Sequence, residues 1–207
     1  MNKSLNKLQI HRLVLTGILA AVVAVLQVFS GYIHFGPFSI TLALIPIIVG
    51  GALCGPVSGA FLGLVMSAIV LINDAAAFLA VNPLGTVVTV LLKGTLAGLC
   101  SALVFKALNS RSDDTSPNRK TLRVLISGIF CPIVNTGLFV LGCYAFFMPT
   151  INGWAAAAGF DSGVNYIIFG MIGINFLVEL ATVTLFSPVI VRLIYIGKTV
   201  EERRNAQ

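Results

Sequence analysis

The sequence predicts an all-α integral membrane protein, a six-transmembrane-helix bundle with a short Gly-Pro helical hairpin between helices 2 and 3. Three observations predict it. The 207 residues are 57% hydrophobic and only 10% charged, and a mean hydropathy of +1.00 does not suit a water-facing surface. The apolar residues fall in runs of the length a bilayer demands, about 20 residues for a 30 Å hydrocarbon core. The basic residues are segregated: of thirteen, twelve lie in three polar stretches and one stands alone in an apolar run.

Walking the chain gives spans at about 12–30, 39–54, 56–72, 84–106, 122–147 and 165–194 of a single membrane domain, residues 1–207, with tails at 1–11 and 197–207. The first follows a basic stretch as a secretory signal does. No small-residue cleavage site leads into a soluble mature domain, so it is read as a retained span. Only Gly55-Pro56 parts the second from the third. Proline removes a backbone donor and pushes the preceding residue out of the helical region, so two short helices in a hairpin are expected there.

Six spans put the start (Lys3, Lys7, Arg12), the middle (Lys106, Arg111, Arg119, Lys120, Arg123) and the end (Arg192, Lys198, Arg203, Arg204) on one side. By the positive-inside rule that side is the cytoplasm. Five spans break this segregation. The outer connections, 31–38, 73–83 and 148–164, carry Asp74 and Asp161 but no Lys or Arg, and hold aromatic and amide residues including Asn82 and Trp154. Aromatic residues anchor spans at headgroup depth, and the third connection is long enough to act as a lid.

Topology accounts for the net charge of +6, so nucleic acid is not an expected partner. The four cysteines lie in apolar segments without a CxxC pair or nearby histidines and read as packing residues. No metal site, Walker loop, H-E-x-x-H or G-x-S-x-G pattern is present, which leaves neither ATP hydrolysis by that route nor intramembrane catalysis supported.

The exceptional cation is Lys93. At 1.5 Å per residue it lies about 13 Å into its span from the outer end, Asn175 about 15 Å, Asn135 about 18 Å and Glu179 about 21 Å. Asn175 and Glu179, four apart, share a helix face. Polar groups at such depth turn inward, pair, or line a cavity. Two accounts stay open: a Lys93–Glu179 ion pair tying helices together, or an outward-facing pocket. In the pocket Lys93 meets an anionic or carbonyl group, Asn135, Asn175 and Glu179 orient the ligand, and Phe130, Phe139 and Phe176 form an apolar wall. Small-xxx-small patterns at Ala20/Ala24 and Gly59/Gly63 permit close helix approach.

Four stretches carry a family likeness: the first span with Ala20 and Ala24, residues 35–71 around the Gly-Pro turn, NPLGTVVTVLLKGTLAGL from Asn82 to Leu99, and CPIVNTGLFVLG from Cys131 to Gly142. With them the chain resembles the substrate-binding S components of energy-coupling factor (ECF) vitamin transporters. The resemblance implies a multi-pass protein of the bacterial plasma membrane, both termini cytoplasmic, that captures a vitamin or related micronutrient and carries no cofactor. It implies partnership with a transmembrane coupling subunit, contacted through Ala20 and Ala24, and with two cytoplasmic ATPases that drive whole-body toppling. It also implies a pocket built from the outer helix halves and outer loops, which adds Asn82 and Trp154 to Lys93, Asn135, Asn175 and Glu179. The stretch from Gly31 through the Gly-Pro turn is similar to pantothenate-type S components, although a shared fold does not name a ligand. An autonomous secondary carrier or channel is the alternative, which inverted repeats often mark; the two halves show no convincing internal match.

Overall fold

A computed structural model describes residues 2–32, 34–35, 38–39, 41–110 and 116–205. Residues 111–115 of the expected cytoplasmic connection, and the outermost residues of both expected tails, lie outside the described residues. The elements are α1 (Asn2–Ser30), a two-residue antiparallel pair β1 (His34–Phe35) and β2 (Phe38–Ser39), α2 (Leu44–Cys54), α3 (Pro56–Asn73), α4 (Ala76–Val81), α5 (Pro83–Ser110), α6 (Pro117–Phe146), α7 (Met148–Ala157), α8 (Gly163–Asn165), a π-helical segment Tyr166–Ile172, and α9 (Gly173–Asn205).

Among the described residues five helices are long and apolar enough to cross a membrane: Gln9–Ser30, Pro56–Asn73, Pro83–Ser110, Arg119–Phe146 and Gly163–Ile196. Where the sequence leads one to expect a span over 39–54, the helix covers only Leu44–Cys54, 11 residues, a rise of about 16 Å. Pro46 is the reason: without an N–H and with its ring against the preceding turn it is tolerated only near a helix start. The chain before it is held instead by the Leu42 amide donating to Ser30 Oγ at 3.2 Å. At the other end Gly55 has φ +100°, a conformation that glycine adopts without the Cβ clash, and Pro56 opens α3 at its first position.

Two outer connections that the sequence leaves as loops are partly helical, holding α4 and α7. Both are short, apolar and seated on a second core cluster through Phe78, Ile151 and Trp154. Tertiary packing makes these helices; their length alone would leave them marginal.

The first core cluster joins α1, α2, α3, α5, α6 and α9 around Leu44, Ile47, Leu62, Met66, Cys131 and Ile190. The outer surface of the bundle is apolar too, with Ile72 81% and Leu185 76% exposed, as expected where the solvent is lipid. The closest approach is between α3 and α5. A Cβ added to Gly59 would meet Gly98 O at 2.6 Å, and Gly63 and Gly94 face each other backbone to backbone in the same way. Gly59-x-x-x-Gly63 thus packs within the chain, against Gly94-x-x-x-Gly98.

The bundle has two distinct ends. At one, Arg12 and Lys106 line a common cavity with the Gly55-Pro56 turn, and Lys120 Nζ lies 4.4 Å from the Tyr195 ring centroid. At the other, Gln27 meets Asp74 and the aromatic rings of α4, α6 and α7 gather. Ala20 packs partly buried against the first core cluster, and Ala24, one turn on, is half-buried.

Candidate functional site

The α3–α5 glycine contact fixes the position of Lys93, which immediately precedes Gly94. Pressed against α3 at that level, α5 turns Lys93 toward the bundle interior, where Nζ stands 5.2 Å from the centroid of the Phe139 ring on α6. A cation over an aromatic face is attracted by the ring quadrupole. Glu179 and Asp74 are the carboxyl groups whose fields reach it. Among the described residues Lys93 closes no ion pair with either, which removes the tied-pair account of Lys93 and Glu179 for this conformation.

The π-helical segment runs directly into α9, and the side chains that reach the same place recur four apart across the junction, which puts them on one face. Met171, Ile172, Asn175, Phe176 and Glu179 all face a cavity of about 70 Å³, joined there by Lys93, Asn135 and Phe139. Gln27, Thr41 and Asp74, which are not among the residues expected from sequence, also stand in this wall. For Gln27 a signal existed: it is an amide in an apolar span, and it is 1% exposed. Asp74 sits at the end of α3 and reads in sequence as a loop residue. Only the return of α3 alongside α1 brings it to Gln27.

The hydrogen bonding in this cavity is lopsided. Gln27 Nε2 donates to Asp74 Oδ2 at 3.4 Å, and Asn175 Nδ2 to the Met171 carbonyl at 3.5 Å. The Asn135 amide and the backbone and side chain of Thr41 approach the Glu179 carboxylate. Left buried without a partner are Gln27 Oε1, Asn135 Oδ1, Asn175 Oδ1 and Glu179 Oε2. Each such acceptor costs about 1–3 kcal/mol, and four of them surround this one chamber.

Of the residues expected at the site, Lys93, Asn135, Asn175 and Glu179 come together, whereas Asn82 and Trp154 are not in the wall. Asn82 Oδ1 accepts from the Gly85 amide at 2.9 Å, capping the start of α5. Trp154 packs edge-on against Phe78 at 5.4 Å, and Phe78 against Phe139 at 5.8 Å, so two rings separate the indole from the chamber. Phe139 and Phe176 line it; Phe130 does not, being 40% exposed on the opposite side of its helix. Among the described residues no group of three or more His, Cys, Asp or Glu is placed to hold a metal ion.

Fold and chamber together define a multi-pass helical membrane protein with a polar compartment inside the bundle. A family model for the ECF transporter substrate-specific component matches residues 11–191, and the chain belongs to that family. Such components bind small-molecule substrates and work with a coupling subunit and ATPases; they are not themselves enzymes. No curated protein and no solved structure matches the chain.

Proposed function

We propose that this chain captures a vitamin-like micronutrient from outside the cell in the chamber around Lys93, Asn135, Asn175 and Glu179. It then delivers the ligand inward by toppling, when joined to a transmembrane coupling subunit and two ATPases. The observation that carries the reading is the set of four unpartnered buried acceptors beside the half-buried Lys93 ammonium, drawn from α1, α5, α6 and α9 into one chamber. A purely structural bundle gains nothing from such an arrangement, since unpaired polar groups at membrane depth are costly.

Orientation follows from the two ends. α2 starts beside Ser30 and finishes at the cavity that Arg12 lines, so despite its length it carries the chain from one end of α1 back to the other. Counted this way six segments cross, both termini share a side, and the basic end is cytoplasmic. The chamber then lies toward the exterior, under the rings of Phe78, Phe139, Phe147 and Trp154. Its 70 Å³ is well below the roughly 300 Å³ of small-molecule pockets, so admission of a vitamin requires these rings and the π-helical segment to move. Ala20 and Ala24 on α1, both partly buried, remain our candidates for the coupling-subunit contact.

Native mass spectrometry of the detergent-purified chain tests this. We expect a co-purified small molecule that is lost in Lys93→Met and Asn175→Ala proteins that still fold. Retention of the molecule at full occupancy in both variants would refute the site. Uptake by the chain alone into ion-loaded liposomes would refute the dependence on partners.

A further inference from the structure

The direction of each hydrogen bond in the chamber says more about the ligand than its location does. Resting on the capture reading above, we propose that the ligand presents a nitrogen-bearing, donor-rich head to the deep end of the chamber. That head is an ammonium, amidinium or amino-heteroaromatic group, making the ligand cationic or zwitterionic and not a simple anion.

Three amides line the wall, and each one's NH₂ is engaged by the protein: Gln27 to Asp74, Asn175 to Met171 O, Asn135 toward Glu179. This fixes which way every amide points, because the engaged end must be the nitrogen. The wall atoms left without any partner are all acceptors, three carbonyl oxygens and Glu179 Oε2, on residues no more than 8% exposed. Thr41 and Asn135 meet Glu179 as donors, so its free oxygen also offers itself as an acceptor. The charged groups in the wall add to the bias, with two carboxyl side chains, Asp74 and Glu179, against one amine. A ligand carboxylate would leave four buried acceptors unsatisfied and find one cationic donor, Lys93, beside the hydroxyls of Thr41 and Thr136 and the second N–H of each amide. A head with several N–H groups satisfies the acceptors, and Lys93 is left for a carbonyl or carboxylate elsewhere on the same molecule. Phe139 and Phe176 supply flat walls beside them.

The test uses the full chain in detergent and three probes on one ring: benzamidine (cationic), benzamide (neutral) and benzoate (anionic). The thermal midpoint and the fluorescence of Trp154, the single tryptophan, serve as readouts. Benzamidine is expected to bind most tightly. Glu179→Gln should weaken it about tenfold or more, as loss of a charged hydrogen-bond partner does. Asn175→Asp should tighten it severalfold, a gain that misfolding cannot mimic. Tighter binding of benzoate than benzamidine, or benzamidine affinity unmoved by both substitutions, overturns the proposal. So does a co-purified molecule lacking N–H donors, and in that case capture itself stands. Absence of any bound small molecule together with no response to all three probes overturns the capture reading as well.

Discussion

Replacing Gly59 with alanine tests the contact that positions the chamber. The added Cβ would sit 2.6 Å from Gly98 O, 3.2 Å from Gly98 C and 3.2 Å from Ala102 Cβ. Restoring ordinary contact near 3.4 Å asks the α3 and α5 backbones to part by roughly 0.8 Å, which forfeits dispersion along the whole crossing. No side chain can rotate away, because the obstacle is main chain. Overpacking costs about 1–3 kcal/mol, and backbone against backbone belongs at the upper end, about 3 kcal/mol. The helical gain of alanine over glycine returns about 1 kcal/mol, leaving a loss of about 2 kcal/mol. For a chain of this size that is a fall of roughly 4–8 °C in thermal midpoint. Gly137, in the interior of α6 with nothing within 4 Å of an added Cβ, is the control: Gly137→Ala should gain about 0.5–1 kcal/mol. Both proteins would be melted in one detergent and followed by Trp154 fluorescence. A Gly59→Ala protein as stable as Gly137→Ala would refute the claim that the two backbones touch, and with it our account of how Lys93 is aimed.

Other outcomes follow from the same geometry. Lys93→Met should melt within a few degrees of the parent, since a thioether fills the stem and an ammonium with no closed ion pair is removed, yet lose its co-purified ligand; differential scanning fluorimetry beside native mass spectrometry separates the two effects. Cys131 and Cys143, both 0% exposed, should resist maleimide until the chain is unfolded, while half-buried Cys54 and Cys100 react earlier, as peptide mapping would reveal. Cysteines placed at Asp161 and Asn109 in a cysteine-free background should label from opposite faces of oriented membranes. Labelling from one face would break the crossing scheme. Lys120→Met should cost about 0.5–1 kcal/mol, the usual worth of an exposed cation–π contact, measured as a small fall in midpoint.

Much of the site was legible because a hydrocarbon solvent makes polar residues conspicuous. Lys93, Asn135, Asn175 and Glu179 stand out in apolar runs, and helical rise alone puts them at similar depth. Gln27 carried the same signal in the first span. Asp74 and Thr41 did not, since each borders a turn where a polar residue is unremarkable. Asn82 and Trp154 were drawn in by their place in outer connections. Their surroundings show other work: a helix cap for one, an aromatic cluster for the other. Pro46 held the clue to the late start of α2, because a proline so placed cannot lie deep in a helix.

The sequence by itself determined that this chain lives in a bilayer, which end bears the positive charge, and which polar groups must hide from lipid; these follow from transfer energies that depend on residue type and run length. Only the tertiary structure decided that the hidden groups share one chamber and that Lys93 rests on Phe139 instead of closing on Glu179. It alone decided, too, that Gln27, Asn135 and Asn175 each leave the carbonyl oxygen without a partner. Those outcomes depend on how closely α3 and α5 approach and on which neighbours α9 packs against, and rise per residue along a single helix carries no information about either.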